Sequence, residues 1–238
     1  MPVLWLSPTN HFQAHIAPLA YTWRSVPNTL LGLNISPHFN RRYDDYHSLS
    51  ATLWFEQHLK GVFQFPRLPK LEFARSAPNG AAVFHVLPGE TLPLREVRVY
   101  ASSDPHALTR FWQTITVQNG GNQWTAKVPV PAAGTPLFGY ADVLYDATVS
   151  HRKIPTPPKA GACDRCEFCS RVVALTKDQL AFAGVRPTLK RERSIPSGSF
   201  GGRDGFQFNW RSPHHWTVTT RKVKDSHLAR TAWGPACV

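Results

Sequence analysis

Residues 2–12 read "PVLWLSPTNHF". Val3, Leu4, Trp5 and Leu6 form an unbroken apolar run, the mark of a strand buried on both faces, and Ser7-Pro8-Thr9-Asn10-His11 is the polar loop that leaves it. A strand with no polar face belongs inside a parallel sheet, and parallel strands are joined by a crossover, usually a helix. "PLAYTWR", Pro18 to Arg24, fits that helix: proline stands in its first turn, and Pro27-Asn28 stops it. "LLGLNIS", Leu30 to Ser36, is a second apolar strand, and "PHFNRRYDD" is the polar loop at its exit. Asp44 or Asp45 caps a second helix, on which Tyr46, Leu49, Leu53, Phe55 and Leu59 fall near helical spacing. Lys60 occupies its last turn and Gly61 ends it. Residues 1–61 therefore read as strand, polar loop, helix, twice over.

From Leu68 to Asp146 the period shortens to two. "KLEFAR", "AAVFHVL", "REVRVYAS", "FWQTITV", "QWTAKVPV" and "PLFGYADVLY" are short strands at close intervals, and Asn119-Gly120-Gly121-Asn122 is a hairpin signal between two of them. Residues 66–147 are expected to form a β-sandwich of immunoglobulin or fibronectin type that buries a core by itself. Residues 148–238 open with a basic, Pro-rich linker, "HRKIPTPPKAGA". Thr176 and Gln179 then form a capping box before "QLAFA", Gly184 stops that helix, and "FQFNW" and "HWTVTTRKV" resemble the opening strands of an incomplete β module.

The 238 residues carry a net charge of +12, which raises the question of a nucleic-acid partner. The excess is concentrated: Arg186 to Arg230 holds ten Lys or Arg against three acids, in a stretch without periodic pattern. This reads as a solvated tail, and no nucleic-acid partner is expected. No apolar run reaches membrane-spanning length, and the first residues lack the basic start and apolar core of a signal peptide. No membrane association is expected. Three of the four cysteines, Cys163, Cys166 and Cys169, lie in "CDRCEFC". Iron–sulfur proteins with this spacing continue with a fourth cysteine, and here the chain runs on as Ser170-Arg171-Val172-Val173. Free thiols in an irregular linker are the expected reading, with a metal centre completed by a distant ligand as the alternative. No metal or cofactor is assigned.

"PVLWLSPTNHF", "ISPHFNRRY" and "LWFEQHLKG" together resemble the C-terminal part of bacterial acetyl xylan esterases and dienelactone hydrolase-like proteins, in which a β-sandwich follows the catalytic region. "EVRVYASSDPHALTRFW" and "WTAKVPV" look like that sandwich, and "SRVVALTKDQLAFAGVRPTL" resembles the segment that follows it. The fold class implied is α/β plus β: a truncated C-terminal end of an α/β-hydrolase over residues 1–61, an immunoglobulin/fibronectin-like sandwich over 66–147, and an irregular tail. By position, the resemblance puts the catalytic histidine at His38 and the catalytic acid at His11, where the pattern expects Asp. An imidazole at residue 11 cannot supply the negative charge that holds a neighbouring imidazolium. The Ser nucleophile belongs to an upstream G-x-S-x-G, and this chain contains none; "SGSFGG", Ser197 to Gly202, is out of register. Met1 then reads as an internal methionine of a longer, exported parent.

The resulting expectation is an esterase fragment that is inactive alone, its parent taking an ester or acetylated-carbohydrate substrate. The alternative is a sandwich that binds a carbohydrate or protein partner, with Trp112 and Trp124 as a candidate stacking platform. The open edge of the first strand predicts self-association.

Overall fold

A computed structural model of the protein describes residues 1–11, 16–38, 45–74, 77–107, 110–121, 123–130, 134–147, 165–188, 207–212 and 215–219, with the side chains of 17–18, 45–48 and 207–219 outside that description. The chain divides into two compact units, Met1–Leu189 and Lys190–Val238. In the first, β1 (Val3–Pro8), α1 (Ile16–Arg24), β2 (Leu31–Ser36) and α2 (Asp45–Phe55) follow in order. β1 and β2 are parallel, with Val3 opposite Leu31 and Pro8 opposite Ser36, as two apolar strands joined by a helix require. α2 ends in a π turn, Glu56–Lys60, closed by Gly61 at φ 66°, a left-handed conformation that glycine adopts without steric cost.

The rest of this unit is β-rich. β3 (Lys70–Phe73), β4 (Ala82–Leu87), β5 (Leu94–Ser102), β6 (Gln113–Ile115), β7 (Val117–Asn119), β8 (Trp124–Val128), β9 (Leu137–Asp146), β10 (Arg165–Cys169) and β11 (Val173–Leu175) build two antiparallel sheets. One has the order β3-β4-β8-β7; the other has β10-β9-β5-β6, with β11 also paired to β9. Alternation sorts the side chains. Leu71, Phe84, Val86, Ala126 and Val128 of one sheet meet Val97, Val99, Ala101, Ala141, Val143 and Tyr145 of the other in a single core. The expected hairpin joins β7 to β8: Gly120 donates its N–H to the Gln123 carbonyl at 2.9 Å, and Gly121, at φ 89°, donates its N–H to the Asn119 side chain.

Two local readings are corrected. "FWQTITV" does not form one strand: β6 pairs with β5 in one sheet and β7 with β8 in the other, so the chain changes sheets at Thr116. Arg165–Cys169, assigned to an irregular linker, is a strand antiparallel to β9, with Cys169 opposite Asp142. The sheet therefore gains a strand from beyond residue 147.

β10 lies at the end of its sheet, and its edge is covered. The Ser50 hydroxyl on α2 donates to the Glu167 carbonyl and accepts the Glu167 N–H, both at 3.3 Å. Cys169 Sγ accepts the Ile35 N–H of β2 at 3.2 Å. The helix thus satisfies backbone groups that would otherwise form an open edge of β10, and β10 in turn satisfies a backbone N–H of β2. The outer face of the same sheet is covered too: Tyr100, Trp112, Tyr140 and Cys169 share a second core with Ile16, Trp23, Leu31, Leu33 and Ile35. On the other side of β2, packing against the first core depends on Gly32, where a Cβ would lie 2.8 Å from Trp54 Cζ3, 2.9 Å from Leu4 Cδ1 and 3.1 Å from Phe168 Cε1. Gly32→Ala is expected to destabilise the protein by about 1–3 kcal/mol through overpacking, read as a lower denaturant midpoint at unchanged slope.

After β11, the Thr176 side chain accepts the Gln179 N–H and the Gln179 side chain accepts the Thr176 N–H, so the expected capping box opens α3 (Lys177–Phe182). Gly184, at φ 74°, follows the helix. In the second unit, β12 (Gln207–Ser212) and β13 (His215–Thr219) form an antiparallel pair with an irregularity between Trp210 and Ser212. The Pro-rich segment 151–162, Cys163, Cys237, Ser197–Gly202 and most of the basic tail lie outside the described residues. No helix among the described residues is long and apolar enough to cross a membrane.

Candidate functional site

In a parallel sheet, side chains that act on ligands cluster in the loops at the carboxyl ends of the strands. β1 and β2 end side by side, because the Thr9 N–H donates to the Ser36 carbonyl at 2.9 Å. Thr9 Oγ1 then accepts the His38 N–H at 2.7 Å, so the loop carrying Asn10 and His11 is tied to the loop carrying His38. The two positions suggested by the resemblance therefore lie on adjoining loops. His38 has φ 66°, the left-handed region, and is the one non-glycine residue with positive φ among the described residues. Such a conformation costs about 1–2 kcal/mol for an L-residue, and strain of this kind gathers at functional loops.

The other wall comes from far along the chain. Arg110, Phe111 and Trp112 precede β6 and press against both loops: the Arg110 carbonyl accepts the Asn10 amide at 3.1 Å, and the Phe111 ring stacks on His38 at 5.1 Å between centroids. Burial pushes the His38 pKa down to about 4, against the raising effect of its hydrogen bond to the Trp112 backbone. The imidazole is neutral at neutral pH, with one side covered by Phe111. A base so weak and so enclosed is poorly matched to proton abstraction at pH 7. No protein family, curated protein or solved structure matches this chain.

The His38 shift makes stability depend on pH. The folded-state pKa lies below the unfolded value, so the unfolded chain binds the proton more readily and stability falls as pH drops through the window from about 6.5 to about 4. The expected slope from this group is at most ~1.4 kcal/mol per pH unit. Urea unfolding of the protein and of His38→Asn, which tolerates the left-handed backbone, should differ in slope across this window and run parallel above it. Parallel curves throughout would contradict the burial of the imidazole.

Trp112, expected as half of a stacking platform, is 1% exposed and belongs to the second core, and Trp124 packs against the first core. Trp124 is half-buried, and the two rings belong to different cores, so they do not form one platform together. The cysteine spacing is also reinterpreted. Cys166 faces the inter-sheet core and Cys169 the opposite side, as two strand residues three apart must, so they cannot enter one ligand set. Cys169 Sγ lies instead near carboxylate oxygens of Asp142 and Glu167, with these ligand atoms all within 4.8 Å of one another. The Arg98 guanidinium already stands at this cluster, its Nη2 2.9 Å from Asp142 Oδ2, and it supplies positive charge that a metal would otherwise bring.

The residues that sequence reasoning missed are Thr9, Arg110 and Phe111. Thr9 was readable in principle as a hydroxyl beside the strand exit. Arg110 and Phe111 reach the site only through folding, with no local signal.

Proposed function

We propose that the chain is part of a carboxylic-ester hydrolase, with residues 1–61 descended from the last strands and helices of an α/β-hydrolase domain, and that it has no esterase activity alone. The observation that carries this reading is His38, held in a left-handed conformation at the carboxyl end of a parallel strand and tied through Thr9 to the loop where such enzymes place their acid. The order β3-β4-β8-β7 facing β10-β9-β5-β6 supports an immunoglobulin-like sandwich, since it reproduces the A-B-E-D and G-F-C arrangement with one added strand. In the parent, Ser would attack the ester carbonyl and His38 would take its proton, with a carboxylate at the acid position supplying the negative charge that raises the imidazole's basicity and that His11 cannot supply here, the substrate being an ester or acetylated carbohydrate. In this chain His11 stands at the acid position and no G-x-S-x-G is present.

The purified chain is expected to hydrolyse p-nitrophenyl acetate and acetylated xylan no faster than buffer. A rate above buffer that vanishes in His38→Ala would overturn the proposed inactivity. β1 pairs with β2 alone among the described residues, which supports self-association through its outer edge. Sedimentation should show mass rising with concentration, and a constant monomer mass would count against it.

A further inference from the structure

In an Asn-Gly pair the glycine amide nitrogen can attack the asparagine side-chain carbonyl carbon, because no Cβ shields its approach. The chain has two such pairs, Asn79-Gly80 and Asn119-Gly120. Both asparagines fold back on the backbone two residues on: Asn79 Oδ1 accepts the Ala81 N–H at 3.2 Å, and Asn119 Oδ1 accepts the Gly121 N–H at 2.8 Å. In both, the attacking nitrogen is engaged, the Gly80 N–H by the Ala77 carbonyl at 2.8 Å and the Gly120 N–H by the Gln123 carbonyl at 2.9 Å. Each turn must open before its asparagine can react.

The surroundings separate the two. Gly80 is buried, and a Cβ on it would lie 2.8 Å from Arg186 Cβ. Its carbonyl accepts the Arg186 N–H at 2.9 Å, and the Ala77 N–H closes the same turn on the Ala81 carbonyl at 2.9 Å. Opening there would break the turn and unseat the chain beyond α3. Asn119 is exposed, at the end of β7, a strand of three residues that is the last in its sheet and pairs with β8 alone among the described residues. A Cβ on Gly121 would meet nothing within 4 Å. So short and solvated a strand end opens at low cost. The 2.8 Å bond from the Gly121 N–H also survives that opening, aimed at the oxygen on which negative charge develops during attack.

We propose that Asn119 is a site of spontaneous deamidation and that the fold protects Asn79. The Gly120 amide gives its proton to solvent, its nitrogen bonds to the Asn119 Cγ, and the Cγ–Nδ2 bond breaks as ammonia leaves with a proton. Water then opens the cyclic imide at either carbonyl, giving aspartate or isoaspartate, with no oxidant or reductant involved. Isoaspartate carries the backbone through an added methylene, so it cannot keep the register that places residue 119 opposite Trp124, and β8 loses the strand that covers its edge. The inference stands independently of the hydrolase reading, since it involves neither His38 nor His11.

The test holds the full chain at mildly alkaline pH, folded and in concentrated guanidinium chloride, and follows the peptides carrying Asn79 and Asn119 by tandem mass spectrometry. In the folded chain Asn119 should convert about tenfold or more faster than Asn79, because conversion tracks the population of the opened turn, and in denaturant the gap should close. Isoaspartate should appear in the product, since direct hydrolysis of the side-chain amide gives aspartate alone. Asn119→Gln, at an exposed position, should remove most of the acidic charge variant that accumulates in the folded chain. Equal or faster conversion of Asn79 in the folded chain, a product without isoaspartate, or an acidic variant that accumulates undiminished in Asn119→Gln would each overturn the proposal.

Discussion

A chain shortened to begin at Pro66 is expected to aggregate or to stay loosely folded, even though its alternating strands look self-sufficient. Removing residues 1–65 takes Phe63 and Phe65 out of the first core and uncovers the outer face of the β10-β9-β5 layer, where Tyr100, Trp112, Tyr140 and Cys169 pack against α1 and β2. Losing that cover costs on the order of 1.5–3 kcal/mol for each large side chain, a sum comparable with the 5–15 kcal/mol stability of a typical domain. The deletion also removes Ser50, which satisfies both backbone groups of Glu167 on the edge strand. An uncovered edge beside an apolar face favours pairing with other chains. The measurement is sedimentation with near-ultraviolet circular dichroism on the shortened and full chains. A monomeric fragment that unfolds cooperatively would show that the N-terminal layer is dispensable.

The same contact explains which parts of the fold were legible. β4, β5 and β8 announced themselves through alternation because one face meets the core, and Thr176 with Gln179 announced a helix start because capping is a local event. β10 did not, because the cysteine spacing of "CDRCEFC" and its place after the Pro-rich stretch drew the reading to a linker, although Arg165, Cys166, Glu167 and Phe168 alternate. The side that carries Glu167 is buried under the N-terminal layer, with Glu167 only 2% exposed. The sheet change at Thr116 was invisible for another reason: Ile115 and Val117 keep the two-residue spacing of one strand across Thr116 while the pairing partner changes. At the site, the place of His38 at a strand exit could be read from a dozen residues. Its stacking on Phe111, and hence its enclosure, depends on a chain crossing from more than seventy residues away, which no local pattern encodes.

Arg98→Met is expected to cost about 3–5 kcal/mol, the usual penalty for leaving buried charge without its partner. Burial opposes the Arg98 charge, but Asp142 and then Tyr100, Glu167 and Glu96 overcome it, so the guanidinium is held above its ordinary pKa and stays protonated. In the variant, Asp142 and Glu167, 1% and 2% exposed, face each other without that cation. Protonating the carboxylates relieves their repulsion, so the deficit relative to the parent should shrink as pH falls below neutrality. Asp142→Leu alone should be destabilising as well, since it removes the strongest of the charges that hold Arg98 and leaves only weaker partners, Glu167 and the half-exposed Glu96, 3.8 Å from its Nε. Combining Arg98→Met with Asp142→Leu removes charge from both sides and replaces it with apolar volume, so the double variant should be more stable than the sum of the single losses predicts, by about 1–3 kcal/mol of coupling. Urea unfolding of the four proteins at neutral and mildly acidic pH decides the matter. Strict additivity with a pH-independent deficit would mean that the pair is solvated and that β10 is not held by a buried charge beneath the N-terminal layer.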